Sequence, residues 1–348
     1  MRVLVFGDSF VTVEDFAPAF AEIAKDHGVR YVRMDEKIQL VPETDSEKRI
    51  REYLGSPEQL LSELKGEEII VVHGAPVTDK VLKAAKGLKL LCCARGGPVN
   101  IDLQAATAMG IPVVTAPGKN ADAVAELTMA LMVMVGRNLK RADAHVRNVK
   151  VVGADNYEGA QFLGHELDGK TLGIIGIGRV GSRVAKRAAA FGMSVIAYDP
   201  FLTKETIEAR GARATDLDDL LSSSDYVSLH ARESKENNNM LGRKQFQLMR
   251  KGAYFINTSR PSMVDEDALF EALKGNLAGA AMDVVKFVPG RPTSPFIGLE
   301  NVIVTPHIGG ATFETTAKGA VIVAAQIRRF LNGQKLETVI NPEAIRQS

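Results

Sequence analysis

The chain has 348 residues, enough for two domains that each bury a core, and its 45% hydrophobic and 24% charged residues are those of a globular protein. With 43 basic against 42 acidic residues the formal net charge is +1, so charge balance offers no argument for a nucleic-acid or anionic-membrane partner. The two cysteines, Cys92 and Cys93, are adjacent and lack metal-ligand spacing; they read as small apolar residues on a buried strand, and no metal is expected.

In chain order, the first element is a strand-like run, Arg2–Gly7, with no signal peptide ahead of it. No apolar stretch reaches the ~18 residues of a membrane span, so a cytoplasmic protein is the expectation. Further strands are predicted at Val29–Arg33, Glu68–Gly74, Leu88–Ala94 and Pro112–Ala116, with helices between them, for example Ser56–Leu64 and Asp79–Ala85. Such alternation predicts a parallel sheet with crossover helices. A long apolar helix, Ala121 to Val149, follows the turn Pro117-Gly118 and a capping Asn120, and an extended arm runs over Val151–Asp168.

A second alternating series begins at Thr171–Gly176 and continues with Ser194–Asp199, Tyr226–Ala231, Ala253–Thr258, Gly279–Val284 and Val302–Thr305. Six strands with intervening helices match the doubly wound dinucleotide fold. A last helix, about Thr315 to Leu331, precedes a strand-like piece at Leu336–Ile340.

The strongest local motif is Gly176-Ile177-Gly178-Arg179-Val180-Gly181, between an apolar strand and a helical run at Ser182–Phe191. Gly176 permits the tight turn, Gly178 lets backbone approach a pyrophosphate, and Gly181 allows close helix–strand packing. The helix N-terminus offers unpaired N–H groups to phosphates. About 20 residues on, Asp199 ends the second strand. Its carboxylate suits ribose hydroxyls and repels a 2′-phosphate, which predicts NAD rather than NADP.

Five blocks together resemble the D-2-hydroxyacid dehydrogenase family, and the resemblance covers nearly the whole chain. They are Ala94 to Asp102 (ARGGPVNID), the glycine loop, Asn257-Thr258-Ser259-Arg260, Ala281-Met282-Asp283-Val284, and Thr305-Pro306-His307-Ile308-Gly309-Gly310. The resemblance implies an α/β protein of two doubly wound parallel-sheet domains with a cleft between them. A discontinuous substrate domain would take residues 1–117 and 313–348, and an NAD-binding domain 118–312. It also implies a homodimer formed through the helix near 121–149 and the arm at 151–168.

The same resemblance implies site residues. Arg260 would hold the substrate's carboxylate or carbonyl oxygen with its planar fork, and His307, a residue type able to give and take a proton, would be the acid/base. Gly96 and Gly97 resemble the loop whose N–H groups hold the substrate carboxylate, with Arg95 adding charge. Arg179 and Val180 fall where the family contacts the pyrophosphate. His230 and Ala231 would border the cofactor. Thr258, Ser259, Asp283, Gly309 and Gly310 match positions near the nicotinamide. Asp283 contacts the nicotinamide amide or only orders its loop, the contact being favoured. His73 is open between a structural and a ligand role, and Asn100 is expected to fix its loop.

One family part is missing. The glutamate that normally pairs with the histidine falls here on Val288, which can neither orient an imidazole nor stabilise its protonated form. Either His307 works alone or with a partner from elsewhere, or the substrate differs, or catalysis is lost and the chain is an NAD(H)-binding regulatory protein. Retention of Arg260, His307 and the cofactor motif favours an NAD-dependent enzyme acting on a small 2-hydroxy or 2-keto acid.

Overall fold

Val3, Leu4, Val5 and Phe6 form an unbroken apolar run with every side chain buried, as a parallel strand covered on both faces requires. This is β1 (Arg2–Gly7). It pairs in parallel with β2 (Gly28–Arg33) and β3 (Ile69–Val72), and β4 (Leu90–Cys93) and β5 (Val113–Thr115) extend the sheet in the order β2-β1-β3-β4-β5. That is the flavodoxin-like order. The crossover helix Val13–Asp26 starts at a Thr12–Asp15 capping box and buries Phe16, Phe20 and Ile23 from one face. The computed structural model describes residues 1–149, 158–286 and 294–347.

By internal packing the chain divides into two units, Met1–Asn120 with Ala311–Ser348, and Ala121–Gly310. The second unit holds seven parallel strands: β6 (Thr171–Ile175), β7 (Ser194–Tyr198), β8 (Arg213–Ala214), β9 (Tyr226–Leu229), β10 (Tyr254–Asn257), β11 (Gly279–Met282) and β12 (Val302–Val304). Their order, β12-β11-β10-β9-β6-β7-β8, reverses direction at β6, the switch point where doubly wound folds bind their ligands. The expected six strands become seven because β8, two residues long, is too short to leave a pattern.

Two further expectations need correction. The predicted single helix 121–149 is two, Ala121–Gly136 and Leu139–Val149. Between them Asn138 turns left-handed at φ 54°, a conformation asparagine tolerates, and its Nδ2 donates to the Leu163 carbonyl at 2.9 Å. The first helix buries Val124, Ala125, Met129, Leu131 and Met132, whereas the second buries nothing within the chain. The piece Leu336–Ile340 forms no strand; Val339 makes an isolated antiparallel bridge to Val114 beside β5. Within the expected arm, residues 151–157 lie outside the described residues and Glu158–Phe162 is a short 3-10 turn. Among the described residues no helix is long and apolar enough to cross a membrane.

Candidate active site

The three glycines after β6 do three separate jobs. Gly176 sits at φ 89°, and a Cβ there would lie 2.5 Å from the Ala231 nitrogen. A Cβ on Gly181 would lie 2.3 Å from the Gly176 carbonyl oxygen, so the helix Arg179–Ala190 packs on the loop only because that side chain is absent. Gly178 faces open space, with nothing within 4 Å of a built Cβ, and it caps the helix without a side chain. The first-turn amides at Arg179, Val180 and Gly181 are therefore left for an anion.

Asp199, just past β7, accepts from the N–H of Ile177 at 3.1 Å and of Phe201 at 3.1 Å, which turns its carboxylate to the glycine loop. Arg210 donates to the Ile177 carbonyl at 2.7 Å. This clamp was not legible in the sequence, because tertiary packing brings the two segments together and no motif marks it. Past β9, His230 hydrogen-bonds Ser228 Oγ through Nε2 at 2.8 Å, while its buried Nδ1 has no partner. Burial pushes this imidazole down to about 4, so the ring is neutral near pH 7. A trough that glycine keeps open, an uncapped helix start, a carboxylate at the next strand end and an orphaned ring nitrogen together fit a dinucleotide such as NAD.

The ends of β10, β11 and β12 carry the remaining groups. After β10, the Asn257 side chain accepts from the N–H and Oγ of Ser259, both at 3.0 Å, and donates to the Arg260 carbonyl at 3.2 Å. Thr258 Oγ1 meets Thr128 Oγ1 at 2.9 Å, fixing the turn to the helix Ala121–Gly136. Arg260 spends Nη1 on the Ser259 carbonyl at 2.8 Å, and its other donors are unengaged among the described residues.

After β11, Asp283 is 1% exposed and holds the loop of His307. One carboxylate oxygen accepts from Thr305 Oγ1 at 2.6 Å and the Ile308 N–H at 2.8 Å, the other from the Gly309 N–H at 2.7 Å. Its carbonyl takes the His307 N–H at 3.0 Å. A Cβ on Gly309 would lie 2.9 Å from the carboxylate, which accounts for the glycine. Gly310 follows it and closes the second unit. His307 is held left-handed at φ 58°, with an exposed ring that has no hydrogen-bond partner among the described residues. Loop ordering by Asp283 is thus accounted for in full within the chain. Val288, where the family pattern carries a glutamate, lies outside the described residues.

In the first unit, the N–H groups of Gly96 and Gly97 are taken by nothing among the described residues, and a Cβ on Gly97 would meet nothing within 4 Å. Asn100 fixes this loop by donating to the carbonyls of His73 at 3.1 Å and Ala75 at 2.7 Å. Arg95 is paired with the Glu52 side chain and donates to the Glu52 carbonyl at 2.6 Å. His73 Nδ1 lies 3.0 Å from Asp8, whose carboxylate also takes the N–H groups of Phe10, Val11 and Gly74. Burial works against that carboxylate, but the His73 hydrogen bond and the N–H groups of Val11 and Gly74 hold it below its ordinary value.

A family model described as D-isomer specific 2-hydroxyacid dehydrogenase, NAD binding domain, matches residues 129–309. D-3-phosphoglycerate dehydrogenase of Archaeoglobus fulgidus is 41% identical over 295 residues, covering 84% of this chain and 55% of that protein. Glyoxylate reductase of Thermococcus litoralis is 41% identical over 278 residues, covering 78% of this chain and 84% of the reductase. The chain spans about half the length of the phosphoglycerate dehydrogenases it matches. Among solved structures, D-lactate dehydrogenase of Aquifex aeolicus complexed with NAD and lactic acid aligns with a TM-score of 0.71 at 30% identity, over 99% of this chain and 98% of that one. D-2-hydroxyisocaproate dehydrogenase aligns with a TM-score of 0.79 at 26% identity, over 98% and 100%.

Proposed function

The chain belongs to the D-isomer specific 2-hydroxyacid dehydrogenases, and from that premise we propose that it interconverts a D-2-hydroxy acid and its 2-keto acid with NAD. The observation that carries this reading is an arrangement in one sheet. Arg260 and His307 follow the carboxyl ends of β10 and β12, in the same parallel sheet whose strand β6 runs into the glycine loop, and Asp283 at the end of β11 holds the loop of His307.

NAD, when bound, supplies the acceptor or donor for a hydride on the substrate's second carbon. Arg260 offers its unengaged guanidinium donors to the carboxylate and carbonyl oxygens, which orients the carbon and polarises the bond. His307 gives a proton to the carbonyl oxygen as that carbon is reduced, and takes the hydroxyl proton in the reverse direction. Gly96 and Gly97 add backbone N–H groups for the substrate carboxylate. Asp199 takes the adenosine ribose, and Thr258, Ser259, Gly309 and Gly310 lie along the nicotinamide end. Residues 1–117 with 313–348 are assigned as the substrate domain and 118–312 as the NAD-binding domain.

We assign the protein to the cytoplasm as a homodimer through the helix Leu139–Val149 and the segment after it. That helix buries none of its residues within the chain, and Leu139 and Leu163 are 44% and 81% exposed. A second reading, a regulatory NAD(H)-binding protein without catalysis, is favoured by one observation, valine in place of the family's glutamate. The two are separated by following NADH absorbance with a panel of 2-keto acids. Turnover of at least one supports the enzyme, and NADH binding without turnover of any supports the regulator.

A further inference from the structure

One charged side chain in the second unit has no task in the chemistry above. Lys286 follows β11, just beyond Asp283, and its ammonium is spent on the protein. Nζ donates to the Val264 carbonyl at 2.6 Å and to Asn239 Oδ1 at 2.9 Å, while the Lys286 N–H donates to Glu266 Oε1 at 2.7 Å. These partners belong to two other loops. Asn239 lies after β9, and Val264 and Glu266 lie after β10, just past Arg260. β9, β10 and β11 are neighbours in the sheet, so one residue ties together the loops at three adjacent carboxyl ends.

The backbone around Arg260 is held from both sides. Upstream, Asn257 takes the Ser259 N–H and donates to the Arg260 carbonyl, a tie contained within the strand-end motif. Downstream, the turn Pro261–Met263 has no such local anchor and is held by the loop after β9. The Asn239 N–H donates to the Ser262 carbonyl at 2.8 Å, the Leu241 N–H to the Met263 carbonyl at 3.1 Å, and the Asp265 N–H returns to the Leu241 carbonyl at 3.0 Å. Asn239 is left-handed at φ 50°, so this pairing depends on a bend that asparagine tolerates. Lys286 closes the arrangement by gripping Asn239 and Val264 at once. An ammonium can do so because it carries three donors, and its charge strengthens each bond. Burial pushes the neighbouring Glu266 carboxyl up, and the Lys286 N–H and charge pull it back.

We propose that Lys286 is a positioning residue for Arg260: by latching Asn239 to the Val264 carbonyl it fixes the turn from which the guanidinium reaches the substrate. This rests on the dehydrogenase reading, in which Arg260 orients the reacting carbon. A planar fork aligned on two oxygens tolerates little displacement, so a latch that settles its backbone acts on the rate without touching the substrate. Lys286 has no part in holding NAD, and its loss should leave the glycine loop as it is.

The test uses the whole chain with Lys286→Met and Lys286→Arg, each alone and combined with Arg260→Lys, and a 2-keto acid that the wild type reduces. Lys286→Met is expected to lower kcat/KM by about tenfold at unchanged NADH affinity, and Lys286→Arg to recover part of the loss. In the Arg260→Lys background, where no fork remains to be aligned, Lys286→Met should change kcat/KM by less than about twofold. The same tenfold loss in both backgrounds, or no loss in the first, overturns the proposal. Hydrogen exchange reads the latch without turnover: the Asn239 and Leu241 amides should exchange faster in Lys286→Met, with the Ile177 amide as an unchanged reference. Equal exchange in the two proteins overturns the latch. A wild type that reduces no 2-keto acid fails the dehydrogenase reading and takes the positioning role with it, while exchange still decides whether Lys286 holds the turn.

Discussion

The two units treat their most buried charged groups in opposite ways. In the second, Asp283 at the end of β11 has both oxygens filled by Thr305, Ile308 and Gly309, so its charge is spent on shaping the loop that presents His307. In the first, the Lys119 side chain after β5 is 8% exposed against 1% for Asp283, and it has no hydrogen-bond or ion-pair partner among the described residues. A satisfied buried charge is a positioning device; an unpaired one is a cost the fold carries.

Breaking the satisfied side should have the largest effect. Asp283→Ala leaves two N–H groups and a hydroxyl without acceptors, and is expected to lower stability by about 3 kcal/mol and kcat by about a hundredfold as His307 moves. Urea denaturation and steady-state kinetics measure the two, and wild-type values in both would remove Asp283 from its positioning role.

The unsatisfied side should respond with the opposite sign. Unfolded, the Lys119 amine keeps its proton to about 10.5; folded, it releases it near 8. Below pH 8 both states are charged and the folded one bears the cost, whereas between 8 and 10.5 the folded state has shed its proton and stability rises with pH. Lys119→Met should therefore stabilise the protein by roughly 3 kcal/mol at pH 7, with the gain shrinking as pH climbs past 8. A variant less stable than wild type at pH 7 would mean that the ammonium has a partner.

Smaller effects sharpen the account of the glycine loop and the His307 turn. Gly181→Ala forces a methyl onto the Gly176 carbonyl and should cost about 2 kcal/mol while weakening NAD binding; unchanged NAD affinity by fluorescence titration would show that the loop can shift freely. At the left-handed His307, replacement by glycine should leave the protein about 1 kcal/mol more stable than replacement by alanine, as thermal melts can resolve. Equal stability would mean that the turn carries no strain.

What the sequence made legible was local. The glycine loop, Asp199, and the strand-end blocks with Arg260 and His307 are contiguous words whose spacing carries their geometry. The helix break at Asn138 was hidden because Gly136 is followed directly by a second helical run, Leu139–Val149, so that one glycine inside a continuing pattern reads as tolerated. β8 is two residues long, and Leu336–Ile340 alternates like a strand yet makes one bridge. The Arg210 clamp, the Glu52 partner of Arg95 and the isolation of Lys119 are all matters of which distant segments meet. A lysine after Pro-Gly reads as a solvated turn residue until the last helix, some 200 residues on, is seen to lie over it.

The role of His307 is tested most directly by NADH oxidation with an accepted 2-keto acid, measured for wild type and His307→Ala alongside NADH affinity. The variant should lose about a hundredfold to ten-thousandfold in kcat while binding NADH as before. A His307→Ala protein that turns over at the wild-type rate would contradict the assignment of the proton to this ring.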